Sequence, residues 1–290
     1  MITQHAPAQK ARSRALPEPD SKLNVKPDSK HKSKLNTKLN SKLACKLSAL
    51  GADAIHGLLH LFYPLNCGAC GAVMGGGERL FCITCEADLP ELGYHRMVVQ
   101  DQGSKGEHAM ARRFWGRLDL EGVWACWAMK GAGPVRELLH RLKYSNRPDL
   151  ARGCGHYYGE TLVRDGALAG IQGIAYVPMT MAKTSARGYN PAREIALGLA
   201  DASGLPVHHK LLTRLPGGKT QTHKDRFERW ESVRQLYAPG PDLKRLNPAQ
   251  CPHVLLVDDV MTTGATFEAC GAHLIEAGFK LSVAALAAAE

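Results

Sequence analysis

Apolar runs of strand length alternate with helix-like segments over the second half of the chain. Nearly continuous apolar runs predict strands at 123–129, 174–179, 253–260 and 280–288, and a short strand is predicted at 207–213. Helices are predicted between them at 133–144, 148–164, 190–201 and after the turn that begins at Thr262. Because strands that alternate with helices of about 10–15 residues form parallel sheets, this pattern predicts an α/β domain with helices on both faces of the sheet.

The amino-terminal part has a different composition. Residues 1–50 carry eleven Lys and Arg against three Asp and Glu, which is most of the formal net charge of +10. A unit of the form SKLN recurs between residues 21 and 44. Two interpretations stay open for this tail, a solvated low-complexity extension and a basic amphipathic helix that touches nucleic acid or anionic lipid.

These patterns divide the 290 residues into four parts. We expect a basic, disordered tail (1–46), a helix with a cysteine-rich module (47–95), a connector (96–120) and the α/β domain (121–290). No run approaches the ~18 apolar residues of a membrane span, and the first residues do not form a secretory signal. We therefore expect a cytoplasmic protein whose cysteines are reduced thiols or metal ligands.

Four of the nine cysteines form two close pairs. Cys67, Cys70, Cys82 and Cys85 have the spacing C-x2-C-x11-C-x2-C, which lets four thiolates converge on a tetrahedral zinc ion. Because protein fills every coordination position, such an ion would be structural. An iron–sulfur centre and four unrelated buried thiols are the alternatives. The other cysteines are interpreted as packing residues.

The strand predicted at 253–260 carries an acidic pair near its carboxyl end, and a turn rich in threonine follows it. Asp258 and Asp259 end the apolar run, and the next small residues lead into a helix. Ligands of open α/β sheets bind at this edge, where backbone N–H groups and a helix amino terminus can hold a phosphate. Two adjacent carboxylates can accept hydrogen bonds from two sugar hydroxyls. The pattern predicts a ribose 5-phosphate site, with an ordinary capped turn as the alternative.

The segment 254–267, VLLVDDVMTTGATF, resembles the phosphoribosyl-pyrophosphate signature of type I phosphoribosyltransferases. Residues ~47–290 as a whole resemble the ComF family, the ComFC/GntX competence-associated proteins. Three further blocks match in order, at 137–151, 176–196 and 213–233, besides the cysteine module. Pro191 departs from the Gln that is usual after RGYN, and residues 1–46 match nothing in the family.

This resemblance implies a type I phosphoribosyltransferase-like fold behind a zinc ribbon, and it implies roles for individual residues. Asp258 and Asp259 would hold the ribose hydroxyls, with Asp259 also the candidate catalytic carboxylate. The candidate 5-phosphate cradle is Thr262, Thr263, Gly264, Ala265 and Thr266. The turn after Val177 and Pro178 would bind pyrophosphate, and Arg187 would supply the positive charge for this contact. The candidate contacts from a mobile loop are Arg214, Lys219, Gln221, Arg226 and Arg229.

Two functions follow from the resemblance. The first is Mg²⁺-dependent transfer of ribose 5-phosphate from phosphoribosyl pyrophosphate (PRPP) to an unknown acceptor, linked to competence and DNA uptake. The second is a non-catalytic PRPP sensor that contacts single-stranded DNA and a helicase or translocase of the uptake machinery. Trp115, Trp127 and Trp230 are candidate stacking residues for DNA, although Trp127 lies on a predicted strand, where tryptophan is more often in the core.

Overall fold

The computed structural model describes residues 65–75, 77–96, 108–216 and 233–289. These residues all belong to one compact unit that extends from residue 64 to the end of the chain. The predictions for the tail, for the helix beginning at residue 47 and for most of the mobile loop lie outside the described residues. The described part contains no helix that is both long enough and apolar enough to cross a membrane.

A four-stranded parallel sheet forms the centre of the described unit. Its strands are β1 (Gly122–Met129), β2 (Gly173–Tyr176), β5 (His253–Met261) and β6 (Lys280–Ala289). Their order across the sheet is β1-β6-β5-β2, and every neighbouring pair is parallel. The carboxyl ends of all four strands therefore meet at one edge, and the predicted parallel sheet is confirmed.

Helices cover both faces of this sheet because its strands are apolar on both sides. α3 (Pro134–Tyr144), α4 (Pro148–Arg164) and α6 (Pro191–Ser203) pack on the face that includes Leu255 and Val257. α7 (Ala265–Glu276) packs on the opposite face, which includes Val254 and Leu256. This alternation along β5 is the period of two that a strand imposes on its side chains.

Several short elements were absent from the sequence predictions. α1 (Ile83–Asp88) lies in the cysteine module and α2 (Ala109–Arg112) in the expected connector. The strand predicted at 207–213 begins only at Leu212, as β3 (Leu212–Arg214), which pairs antiparallel with the unpredicted β4 (Tyr237–Pro239). The strand predicted at 174–179 ends at Tyr176. It is followed by Pro178, which has no N–H to donate to a sheet, and then by α5 (Met181–Arg187).

Pro191 fits its position in the fold. It is the first residue of α6, where the missing N–H costs nothing because that group has no partner within the helix. The preceding Asn190 caps the helix by accepting a hydrogen bond from the N–H of Ala192 at 3.1 Å. The departure from the family pattern at this position therefore leaves the local helix start intact.

Candidate functional site

The carboxylates of Asp258 and Asp259 lie near the carboxyl end of β5. Val257 pairs with Tyr176 of β2, so the acidic pair lies beside the loop that follows β2. The carboxylate of Asp259 forms an ion pair with Lys143 of α3 at 3.2 Å. Oδ1 of Asp258 accepts a hydrogen bond from the N–H of Asp259 at 2.8 Å. The side chain of Lys143, 116 positions before Asp259 in the sequence, thus faces the acidic pair, and sequence reasoning did not predict this contact.

The two carboxylates differ in their electrostatic environment. Burial raises the pKa of Asp258 well above its ordinary value of 3.8, and the neighbouring charge of Asp259 raises it further. The positive charges of Lys143 and Arg214 lower this pKa only in part. A carboxyl group that retains its proton can donate a hydrogen bond, whereas a carboxylate only accepts. Both carboxyl groups can therefore accept hydrogen bonds from neighbouring hydroxyl groups, and Asp258 can also donate one at any pH at which it holds its proton.

Asp258→Asn is expected to raise the melting temperature of the unliganded protein near pH 8 and to have no such effect near pH 4. Because the folded-state pKa is raised, the folded protein binds more protons than the unfolded chain between the ordinary pKa of 3.8 and the folded value. Stability is therefore lost as the pH rises through this window, and Asn removes that loss. Thermal unfolding at both pH values measures the effect; a variant that melts earlier than wild type at pH 8 would contradict it.

The turn 262–266 joins β5 to α7. Thr262 and Thr263 are exposed, and Oγ1 of Thr263 accepts a hydrogen bond from the N–H of Ala265 at 3.4 Å. Gly264 has a φ of 81° and is the residue that precedes the first turn of α7. The first N–H groups of a helix carry a partial positive charge, so this turn is suited to an anion. All five residues that were predicted to bind the 5-phosphate lie in this turn.

Residues of the connector contact this turn and the first turn of α7. Arg113, next to α2, donates hydrogen bonds to the carbonyl oxygens of Thr262 and Ala289, the latter at 2.5 Å. Arg117 forms an ion pair with the buried Glu268 in the first turn of α7. The ring of Phe114 lies against Gly264. Three residues of the segment expected to be a connector therefore support the candidate phosphate turn.

Gly264→Ala is expected to destabilise the protein by about 2–5 kcal/mol. An L-residue at positive φ costs ~1–2 kcal/mol, and the added methyl group would lie 2.7 Å from the ring of Phe114, a clash worth ~1–3 kcal/mol. Gly166→Ala is a matched control, because Gly166 has a φ of 71° and no described atom within 4 Å of the added carbon. Urea unfolding of both variants separates the two costs, and equal losses would mean that the contact with Phe114 is immaterial.

A cavity of about 350 Å³ opens in front of the acidic pair. Its walls come from the ends of α3 and β2, from α5 and from the β3–β4 pair. The cations in its lining are Lys143, Lys183, Arg187 and Arg214. The uncharged lining residues include Tyr144, Asn190, Tyr237 and Thr266. The cavity therefore combines two acidic side chains with four cationic ones at the edge where open α/β sheets bind their ligands.

The structure brings together some of the cationic site residues that were predicted from the sequence. Arg187 and Arg214 share the cavity with both aspartates, and Arg214 donates a hydrogen bond to the hydroxyl of Tyr237. Lys219, Gln221, Arg226 and Arg229 lie outside the described residues. Lys143 and Lys183 were not predicted, although both belong to blocks that carry the family resemblance. Their types and positions alone do not distinguish them from surface lysines.

The four paired cysteines converge. The sulfur atoms of Cys67, Cys70, Cys82 and Cys85 all lie within 4.8 Å of one another, and Cys70 and Cys82 are 3.8 Å apart. Four sulfurs at ~2.3 Å from one tetrahedral zinc ion would be separated by about 3.8 Å. The residues present therefore fit a zinc ion, and this cluster could form a structural zinc site, as the spacing predicts.

Backbone groups of the module favour thiolate at one ligand. Burial raises the pKa of Cys67, but N–H groups of Cys70, Cys82 and Ala69 donate to its sulfur, and the net effect lowers the pKa to about 6. The N–H of Cys82 lies 3.3 Å from this sulfur. Since the thiolate is the form that binds metal, these hydrogen bonds prepare the cluster for a cation.

The remaining cysteines and tryptophans are placed as follows. Cys126, Cys154, Cys251 and Cys270 are buried, as expected for packing residues, and Cys45 lies outside the described residues. Trp127 is fully buried in β1, so the suggestion that it stacks on DNA is wrong. The pleat of β1 directs this ring into the core. Trp115 is 57% exposed, and Trp230 lies outside the described residues.

The fold and the site define an α/β protein with a carboxylate- and cation-lined cavity at the carboxyl edge of a parallel sheet and with a four-cysteine cluster. No family model matches the chain. The chain is 27% identical over 137 residues to the DNA utilization protein YhgH of Salmonella typhimurium and 26% identical to the protein of that name from Salmonella typhi. These alignments cover 46% of the chain and 57% of each relative, so the chain spans little more than half their length.

Two solved structures are also similar to part of the chain. One is described as the allosteric regulatory enzyme of purine biosynthesis, with 21% identity and a TM-score of 0.35 over 50% of this chain and 29% of that one. The other is the glutamine phosphoribosylpyrophosphate amidotransferase from B. subtilis, with 20% identity and a TM-score of 0.33 over 50% and 30% of the two chains. What the comparisons establish for this chain is the distant sequence relationship to a DNA utilization protein.

Proposed function

We propose that this protein is a ComF-type phosphoribosyltransferase. It binds PRPP with Mg²⁺ and transfers ribose 5-phosphate to a nitrogen acceptor, in a process linked to DNA utilization. One observation carries the proposal. Asp258 and Asp259 lie near the carboxyl end of a parallel strand, a phosphate-type turn follows that strand, and the cavity in front is lined by four cationic side chains.

Each part of PRPP has a counterpart in this arrangement. The adjacent carboxyl groups of Asp258 and Asp259 suit the two ribose hydroxyls. The 5-phosphate is expected at the turn 262–266, where it meets N–H groups and the positive end of α7. Lys183 and Arg187 border the same cavity and suit the pyrophosphate group. The ligand's two anionic ends thus meet the two positive regions of the site.

The proposed transfer reaction separates charge within PRPP. As the bond between C1 and the pyrophosphate oxygen breaks, negative charge grows on pyrophosphate and positive charge grows on the sugar ring. Cations placed in advance stabilise the leaving group, and the carboxylate of Asp259 stabilises the sugar. Mg²⁺ bound with PRPP would neutralise further phosphate charge. Lys143 holds the carboxylate of Asp259 in position through their ion pair.

Calorimetric titration with PRPP and Mg²⁺, followed by a pyrophosphate-release assay with added nitrogen acceptors, tests the proposal. Saturable binding at one site per chain and release that depends on an acceptor are expected. Absence of any binding would contradict the whole proposal.

A sensor that binds PRPP without turnover is the second candidate. The exposed Trp115, with the guanidinium of Arg112 at 5.7 Å from its ring, favours a contact with single-stranded DNA, since bases stack on such rings. Binding of PRPP without release of pyrophosphate would support this function. Trp115→Ala should then weaken binding of a single-stranded oligonucleotide, while a salt titration measures the phosphate contacts at ~0.7 per contact in the log–log slope.

A further inference from the structure

The turn that carries the first cysteine pair, residues 67–72, contacts α3; we refer to this turn as the knuckle. Gly71 follows Cys70 in the knuckle and has a φ of 78°. A Cβ atom added to Gly71 would lie 2.6 Å and 2.8 Å from the two terminal nitrogens of Arg141, a residue of α3. The guanidinium group therefore lies against the backbone of the knuckle, in space that a glycine leaves open.

Arg141 has no counter-charge within the described ranges of the chain. Its Nε atom is buried and has no hydrogen-bond partner there. Glu137 lies one helical turn earlier on α3 and is exposed, yet no ion pair joins it or any other described carboxylate to Arg141. A guanidinium group is always charged and offers five N–H donors. Because a partly buried charge without a partner is costly, this arrangement indicates that a negative charge belongs at the knuckle.

The occupied metal cluster would supply that charge. Four thiolates and one Zn²⁺ ion together carry a net charge of about −2. Cys70, the neighbour of Gly71, is the exposed member of the four-sulfur cluster. Groups outside the ligand set that complement its charge hold the ligands in place, and their loss typically costs about 10–100-fold in metal affinity. The position of Arg141 is that of such a group.

The helix α3 connects this contact with the aspartate cavity. Arg141 and Lys143 are two residues apart, so their side chains leave the helix in directions that differ by about 200°. On one side of α3, Arg141 meets the knuckle, and on another, Lys143 lies 3.2 Å from the carboxylate of Asp259. A displacement of Arg141 would therefore move Lys143 relative to the acidic pair.

We propose that Arg141 is the outer partner of the metal cluster and a positioning residue for Lys143. The occupied cluster holds the guanidinium group of Arg141, Arg141 holds the last turns of α3, and α3 presents Lys143 to Asp259. Both steps involve only groups of the protein and the metal. A resulting loss of PRPP affinity is the one consequence that rests on the proposed function.

Release of zinc from the full chain to a chromogenic chelator tests the first step. Arg141→Met retains the length of the side chain but lacks the charge, and it is expected to release zinc about 10–100-fold faster than wild type. Arg141→Lys retains the charge and should release zinc at an intermediate rate. Arg136→Met is the matched control, because Arg136 is an exposed arginine of the same helix, and it should release zinc at the wild-type rate.

Acetylation of lysine side chains by a water-soluble active ester, quantified by mass spectrometry, tests the second step. In Arg141→Met kept saturated with zinc, Lys143 is expected to react about two- to fivefold faster than in wild type, as expected for loss of a solvent-accessible ion pair. Lys210, an exposed lysine outside the cavity, is the internal reference and should react at the same rate in both proteins. Circular dichroism verifies the fold, and Arg141→Lys provides the comparison if Arg141→Met does not fold.

The inference is overturned if the protein holds no zinc, if zinc leaves Arg141→Met at the wild-type rate, or if the reactivity of Lys143 does not change in the zinc-saturated variant. Calorimetric titration with PRPP and Mg²⁺ then measures the consequence, and Arg141→Met should bind PRPP more weakly than Arg136→Met. If neither variant nor wild type binds PRPP while the zinc and acetylation results hold, the proposed function falls and the role of Arg141 stands.

Discussion

Replacing Asp258 and Asp259 together by Asn is expected to weaken PRPP binding by on the order of 10²–10⁴-fold in a protein that stays folded. A hydrogen bond to a charged group contributes ~1.5–3 kcal/mol, and two such bonds to ribose hydroxyls would be weakened or lost. Lys143 would also lose its ionic partner, which now lies 3.2 Å away. Asn retains the size of Asp and its Oδ1 acceptor, so the bond from the N–H of residue 259 can persist.

Calorimetric titration with Mg²⁺ present measures the loss. Asp88→Asn provides a matched control, because Asp88 is an exposed residue at the end of α1 and does not line the cavity. Thermal unfolding of the double variant separates a binding role from a structural one. Unchanged affinity in a folded double variant would mean that the aspartates do not hold the ribose, and a collapse of the fold would assign them a structural role instead.

Removing metal from the four-cysteine cluster is expected to lower the melting temperature of the described unit by at least about 10 °C. Structural zinc contributes ~10–16 kcal/mol of apparent binding free energy in small modules, and loss of even ~4 kcal/mol shifts the melting temperature by about this amount. The module packs on the sheet: the rings of Phe81 and Trp127 are 5.6 Å apart, and Met74 and Leu89 belong to the same hydrophobic cluster as Leu138. Its loss would therefore expose part of the main core.

Metal analysis of the purified protein should find one equivalent of zinc per chain, and Cys70→Ser should lose it. Cys251→Ala is the matched control, because Cys251 is buried elsewhere and should leave the stoichiometry unchanged. Re-addition of zinc after chelation should restore the melting temperature. A preparation with iron in place of zinc, or one that melts identically with and without chelator, would contradict a structural zinc ion.

The predictable parts of the fold are those that local sequence dictates. Strands buried on both faces need continuous apolar runs, and for this reason β1, β5 and β6 were predicted to within two residues at each end. The cysteine pairs were predictable because metal ligands in tight turns require a fixed spacing. The position of Asp258 and Asp259 near the carboxyl end of β5 followed from the apolar run that precedes them.

Contacts between distant segments had no local signal. The amphipathic helix α3 was predicted, but the ion pair of its Lys143 with Asp259 depends on how α3 packs beside β5. In the same way, the residues of 108–118 show no marked pattern, and only the tertiary structure places Arg113 on the carbonyl of Thr262 and Phe114 against Gly264.

The sequence by itself determined the class of fold, the candidate metal cluster and the acidic strand end, since each depends on residues close together in the chain. Only the tertiary structure decided which cations face the aspartates and that Trp127 belongs to the core. The physical reason is that burial and electrostatic pairing depend on distances in space, and residues such as Lys143 and Asp259 come within 3.2 Å only when the sheet and its helices pack.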